Sequence, residues 1–194
     1  MSGINWEAED AKYIWHPAMQ MKDNEVFPPV VIDHAKGCYL YDTHGKAYLD
    51  IISSWWCNLL GHANPEINAA LKQQVDELEH VIFTNFTHKP AIELARELSE
   101  LLPAGLTKFT FHDNGSSAVE AALKMAFQYQ YQTGHPERTR FMCLPESYHG
   151  ETIGALSVGS MDLYAKIFHP MLMNNIHFKG LDCYRCPYLS LIHI

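Results

Sequence analysis

The sequence predicts an α/β fold in which a small antiparallel meander precedes a mostly parallel sheet covered by helices. Three observations predict it. β-branched and aromatic runs separated by turn residues fill positions 30–52, the pattern of short paired strands. From Asn64 onward the apolar period lengthens to that of a helix. Beyond residue 103, short apolar runs alternate with helical patterns, which is how strand–helix–strand units read.

Residues 1–29 are polar with embedded aromatics, Trp6, Tyr13, Trp15 and Phe27, and end in Pro28-Pro29. They read as an arm laid over another surface, not as a self-sufficient core. Val30-Val-Ile-Asp33, Cys38-Tyr-Leu-Tyr41 and Ala47-Tyr-Leu-Asp-Ile-Ile52 form the meander, with turn chemistry at Asp42-Thr-His-Gly45. Asn64-Pro65 opens a helix on which Ile67, Leu71, Val75, Leu78 and Ile82 recur every three or four residues. Pro90 opens a second, carried by Ile92, Leu94, Ala95, Leu98 and Leu101 and ended before Pro103. A strand over 107–111, a helix over 117–131, a strand over 140–144 and an apolar run over 153–158 follow.

Hydrophobic residues make up 47% of the 194 and charged residues 19%, as in globular proteins with one large core or somewhat more. The net charge of −8 without a basic run argues against a nucleic-acid partner. No apolar run approaches a membrane span, and the acidic N-terminus lacks the pattern of a secretory signal. A cytoplasmic protein with no membrane partner is the expectation. Cys38, Cys57 and Cys143 fit reduced thiols. Cys183-Tyr-Arg-Cys186, with His177 and His193 nearby, is a single C-x-x-C. A closed zinc site needs four ligands, so this is read as a loop with two thiols, and no metal is expected.

The densest chemistry lies in 108–117, where a β-rich run stops at Asn114-Gly115 and a helix rich in small residues begins. Such a junction aims free N–H groups, the hydroxyls of Ser116 and Ser117 and a positive helix end at one point, which suits a phosphate. An ordinary capped turn has the same local pattern. The absence of G-x-G-x-x-G and of a Walker loop turns the expectation away from dinucleotides and nucleoside triphosphates. In parallel sheets ligands bind at the carboxyl ends of strands, which puts Pro145-Glu-Ser-Tyr-His-Gly150 on the same rim. There Tyr148 can stack on a flat ring beside the acid–base side chain of His149; the alternative is that Tyr148 packs on its loop and His149 is solvated. A third cluster is Ser53-Ser-Trp-Trp-Cys57. If extended, its tryptophans face opposite ways, one into the core and one toward a pocket; the alternative is that both are core.

Taken together, Ser53-Ser-Trp-Trp56, the run 113–126 and Ser147-Tyr-His-Gly-Glu-Thr-Ile-Gly-Ala155 resemble class III, pyridoxal-phosphate-dependent aminotransferases of fold type I. Trp15-His-Pro17, Gln20-Met-Lys22 and Thr87-His-Lys-Pro-Ala-Ile-Glu-Leu94 are similar to a branch that acts on a long aliphatic amine. The resemblance runs from about residue 12 to 188. It implies pyridoxal 5'-phosphate, a small-molecule amino donor, a keto acceptor and a homodimer. Gly115 and Ser116 match the positions that hold the cofactor phosphate. Tyr148 matches the aromatic that stacks on the pyridine ring and borders the substrate, and Trp55 the tryptophan that lines the aliphatic pocket. Ala18 stands where the best-known branch has a pocket tyrosine, which leaves the donor open.

By the same resemblance, 1–62 is the arm and meander and 63–188 the N-terminal half of the cofactor domain. Lys108, Lys124, Lys166 and Lys179 do not match the lysine that carries the cofactor. The resemblance places that lysine beyond the chain end, so no catalytic residue is assigned. Residues 189–194 leave the pattern and are expected to be a foreign tail of a truncated chain. The rivals are another class III ω-amino-acid transaminase and a non-catalytic fragment.

Overall fold

Asp42 organises the meander. In the computed structural model, which describes residues 3–178, strands β1 (Ile32–Lys36), β2 (Tyr39–Asp42) and β3 (Ala47–Leu49) pair antiparallel in chain order. The buried Asp42 carboxylate accepts the N–H groups of His44 at 2.9 Å and Lys46 at 2.8 Å and the Tyr48 hydroxyl at 2.9 Å. The Lys46 N–H is the main reason that this carboxyl lies below its ordinary value. An aspartate that bonds its own turn in this way fixes the hairpin.

The chain forms two compact units, Met1–Ile92 and Glu93–Ile194. In the first, the arm carries a short helix, α1 (Trp6–Tyr13), capped by Asn5, whose side chain accepts the Ala8 N–H at 3.0 Å. Glu7 ties it to His44 of the meander at 2.9 Å. After β3 comes a four-residue turn, α2 (Ser53–Trp56), and then α3 (Pro65–Glu77). The Asn64 side chain caps α3 by accepting from Glu66 and Ile67. The apolar spacing runs on to Ile82, but the helix stops at Leu78, whose φ of −168° is extended. The Gln74 side-chain amide donates to the Leu78 carbonyl and closes that end. The next helix, α4 (Lys89–Leu101), contains the division between the units.

The second unit contains α5 (Gly115–Gln132), β4 (Met142–Cys143), α6 (Ile153–Val158), α7 (Asp162–Ala165) and β5 (Ile176–His177). β4 and β5 pair in parallel, Met142 opposite Ile176 and Cys143 opposite His177, the strand direction expected of this half. Two expectations need correction. Residues 107–111 belong to no sheet among the described residues, and the strand expected at 140–144 shortens to two residues. β propensity marks a surface that fits a sheet; a strand also needs a hydrogen-bonded neighbour. The buried apolar residues Cys143, Ala155, Leu156, Val158 and Ala165 centre on α6. Buried Asn175 links α6 to the sheet, donating to the Ser157 carbonyl at 2.9 Å and accepting from the Phe141 N–H at 3.2 Å. Cys183 and Cys186 lie outside the described residues.

Candidate cofactor and substrate site

Asn114 starts α5 and leaves its first donors free. Its side-chain oxygen accepts the Ser117 N–H at 2.8 Å, and its carbonyl accepts the Ala118 N–H at 3.1 Å. The N–H groups of Gly115 and Ser116, at the head of the helix, have no intrahelical acceptor. A Cβ added at Gly115 would meet no atom within 4 Å, and its φ lies outside the left-handed region. Neither packing nor backbone conformation demands a glycine here. Bare backbone under open space is what a phosphate needs to reach these donors.

Gly150 packs against this helix end. It is buried, its φ is +124°, and a Cβ there would collide with the Ser116 hydroxyl and lie 2.9 Å from the Ser116 Cβ. Only glycine combines that backbone with that approach. The loop 145–150 is therefore seated on the first turn of α5, and Tyr148 stands two residues from the contact. Its hydroxyl donates to Glu151 at 3.1 Å, and its ring lies 5.4 Å from that of Tyr164. Desolvation, then the Glu151 carboxylate, pushes the phenol above its ordinary pKa. Tyr148 is still 53% exposed, which leaves room for stacking on its ring, and His149 is exposed.

Glu120 is a residue that sequence reasoning missed. Its Oε1 accepts the Gly154 N–H at 2.8 Å and the Ala155 N–H at 3.3 Å, so a side chain of α5 caps α6. The Thr152 hydroxyl, first among the causes, and these two N–H groups hold its carboxyl below the ordinary value. A Cβ at Gly154 would collide with the carboxylate, lying 2.7 Å from its Cδ. Ser116 and Glu120 are one helical turn apart on a single face, and Gly150 and Gly154 share that spacing. Nothing local to Glu120 or Gly154 in the sequence announces a partner 34 positions away.

Trp55 lies in the first compact unit, and Gly115, Ser116 and Tyr148 lie in the second. The tryptophans are not extended. Ser53, Ser54, Trp55 and Trp56 have φ values of 48°, 46°, 67° and 66°, a full left-handed turn without glycine. Each such residue costs about 1–2 kcal/mol. The turn carries Trp55 and Trp56 outward, 67% and 76% exposed, with ring centroids 6.4 Å apart and planes at 81°. Neither tryptophan enters the core, because alternation between faces requires an extended backbone.

This fold and these motifs define a transferase of fold type I, and the chain belongs to the Aminotransferase class-III family, whose model matches residues 19–189. Members of this family depend on pyridoxal phosphate. The chain is 47% identical over 178 residues to adenosylmethionine-8-amino-7-oxononanoate aminotransferase of Geobacter sulfurreducens, covering 92% of this chain and 39% of that protein. It is 42% identical over 182 residues to the enzyme of the same name from Methanocaldococcus jannaschii, covering 94% and 40%. The crystal structure of that archaeal enzyme matches with a TM-score of 0.86 at 41% identity, over 90% of this chain and 40% of the other. An omega transaminase of Pseudomonas jessenii in complex with PMP also matches at 0.86, with 28% identity over 95% and 41%. The chain thus spans about two fifths of the length of the curated relatives it matches.

Proposed function

We propose that these residues are the N-terminal part of an aminotransferase that converts 8-amino-7-oxononanoate to 7,8-diaminononanoate in biotin biosynthesis, with adenosylmethionine as donor. The observation that carries the reading is the cradle itself: bare backbone at Gly115, with the Tyr148 loop seated on Ser116 through Gly150. Bound pyridoxal phosphate supplies an electron sink for amino transfer. The residues of this chain do the holding. The N–H groups of Gly115 and Ser116 and the Ser116 hydroxyl bind the phosphate. Tyr148 covers the flat ring and borders the substrate, and its bond to Glu151 sets the direction of the phenol. Trp55 lines the path of the aliphatic chain. By resemblance to the family, the working form is a cytoplasmic homodimer.

The fold does not separate this reading from an ω-amino-acid transaminase, since both matches score 0.86. Sequence supports the first reading, with 41% identity against 28%, and the paired tryptophans and Trp15-His-Pro17 point the same way. The test is a chimera in which this chain replaces the 178 matching residues of the Geobacter relative. It is expected to aminate 8-amino-7-oxononanoate from adenosylmethionine. Turnover of ω-amino acids with pyruvate, and none with 8-amino-7-oxononanoate, would install the rival. In the same assay the 194-residue chain alone is expected to form no product, because none of Lys108, Lys124, Lys166 and Lys179 fits the lysine motif.

A further inference from the structure

The left-handed turn of α2 lies in a loop clamped at its neck. Asp50 follows β3, and its N–H donates to the Cys38 carbonyl at 2.9 Å, which fixes the loop's entry to the meander. At the exit, His62 and Gly37 exchange backbone hydrogen bonds of 2.8 and 3.0 Å. The side chains then close the neck, His62 Nε2 donating to Asp50 Oδ2 at 2.8 Å. Both are shielded, the Asp50 side chain 5% and the His62 side chain 13% exposed. The same Oδ2 accepts the Ser54 hydroxyl at 2.8 Å. Ser54 and His62, with the Ser54 N–H as the largest contribution, hold the Asp50 carboxyl down to about 2.

A turn of four left-handed residues with β-carbons does not persist on its own; the surrounding contacts must over-determine it. Among the described residues, the Asp50 side chain grips the turn through the Ser54 hydroxyl, beside the backbone bonds from Trp56 to Ile52 and from Cys57 and Asn58 to Ser53, while His62 holds Asp50 in place. We propose that Asp50 and His62 are positioning residues that lock the left-handed turn and so set the direction in which the Trp55 indole is presented to the aliphatic part of the substrate. The second half of this statement rests on the reading of Trp55 given under Proposed function; the first half does not. The clamp explains why a strained turn occurs at a serine–tryptophan run rather than at glycine. The strain fixes two adjacent bulky side chains on the outside of one tight turn, which a relaxed helix or strand does not do.

The turn can be read without any catalysis. Two indoles at this distance and angle give an exciton couplet in the far-ultraviolet circular dichroism of the chain, assigned by its loss in Trp56→Phe. Asp50→Ala and His62→Ala are expected to abolish or invert the couplet, and His62→Gln, which still donates to Asp50, is expected to restore it. A folded Asp50→Ala chain with an unchanged couplet would overturn the lock. Should Asp50→Ala fail to fold, Ser53→Gly decides independently. Glycine relieves a left-handed position, so Tm should rise by about 2–4 °C; a fall would overturn the strained turn. In the Geobacter chimera, Asp50→Ala is expected to raise the KM for 8-amino-7-oxononanoate about tenfold or more with cofactor affinity unchanged. A lost couplet with an unchanged KM would leave the lock standing and overturn the assignment of Trp55 to the substrate.

Discussion

A methyl group on residue 115 meets nothing in the protein, and this makes Gly115 a residue at which stability and binding separate. Gly115→Ala is expected to leave Tm unchanged or to raise it, since replacing glycine at a compatible backbone stabilises by about 0.4–1 kcal/mol. In the proposed site the same methyl stands where the phosphate approaches. Affinity for pyridoxal phosphate should fall about tenfold or more, and tenfold is about 1.4 kcal/mol; Gly115→Val should lose still more. Calorimetric melting and cofactor titration on one preparation check both halves. Normal cofactor affinity in the folded variant would place the phosphate elsewhere. Ser116 cannot be tested as cleanly, because its side chain also touches Gly150, so its removal perturbs the loop and the ligand together.

Between α5 and α6 the decisive contact is the Glu120 carboxylate on the N–H groups of Gly154 and Ala155. Glu120→Ala leaves those donors unsatisfied and is expected to cost about 1–3 kcal/mol. The pH dependence has a fixed sign. A carboxyl held below its ordinary value of 4.5 contributes stability above that value and loses it as pH falls through the folded value. Acid melting of the wild type should therefore begin below about pH 4.5, and Glu120→Gln should flatten that limb. A Glu120→Gln chain with the wild-type acid limb would remove the contact from the account. This contact marks where sequence reading stops. The meander, α3, α4 and α5 were legible because their causes are local: turn residues, Asn caps and apolar spacing. Glu120 and Gly154 lie 34 residues apart, and helical periodicity carries no term for a partner that distant. The turn at Ser53–Trp56 was hidden for a different reason. Left-handed backbone is announced by glycine or asparagine, and here the pull comes from Asp50 and Ser54.

Large apolar side chains of the described residues stand open in both units: Leu59 is 89% exposed and Ile167 85%. Apolar surface left open in this way attracts other apolar surface. The isolated chain is expected to bind a hydrophobic dye strongly and to elute from a sizing column well ahead of its mass, whereas the Geobacter chimera should do neither. A dye-silent, monomeric chain would mean that these faces are covered in solution. The seat of Gly150 on Ser116 has a consequence in time as well as in space. On a ribosome, α5 emerges while the loop that seats on its first turn is still inside the exit tunnel. A nascent chain arrested with α5 outside and Gly150 still inside the tunnel has the helix end but not its second wall, and one arrested after Gly154 has cleared the tunnel has both. On the proposed assignment of the phosphate to this cradle, capture of pyridoxal phosphate by arrested nascent chains should switch on between those two points, and capture before the loop has left the exit tunnel would overturn the need for its second wall.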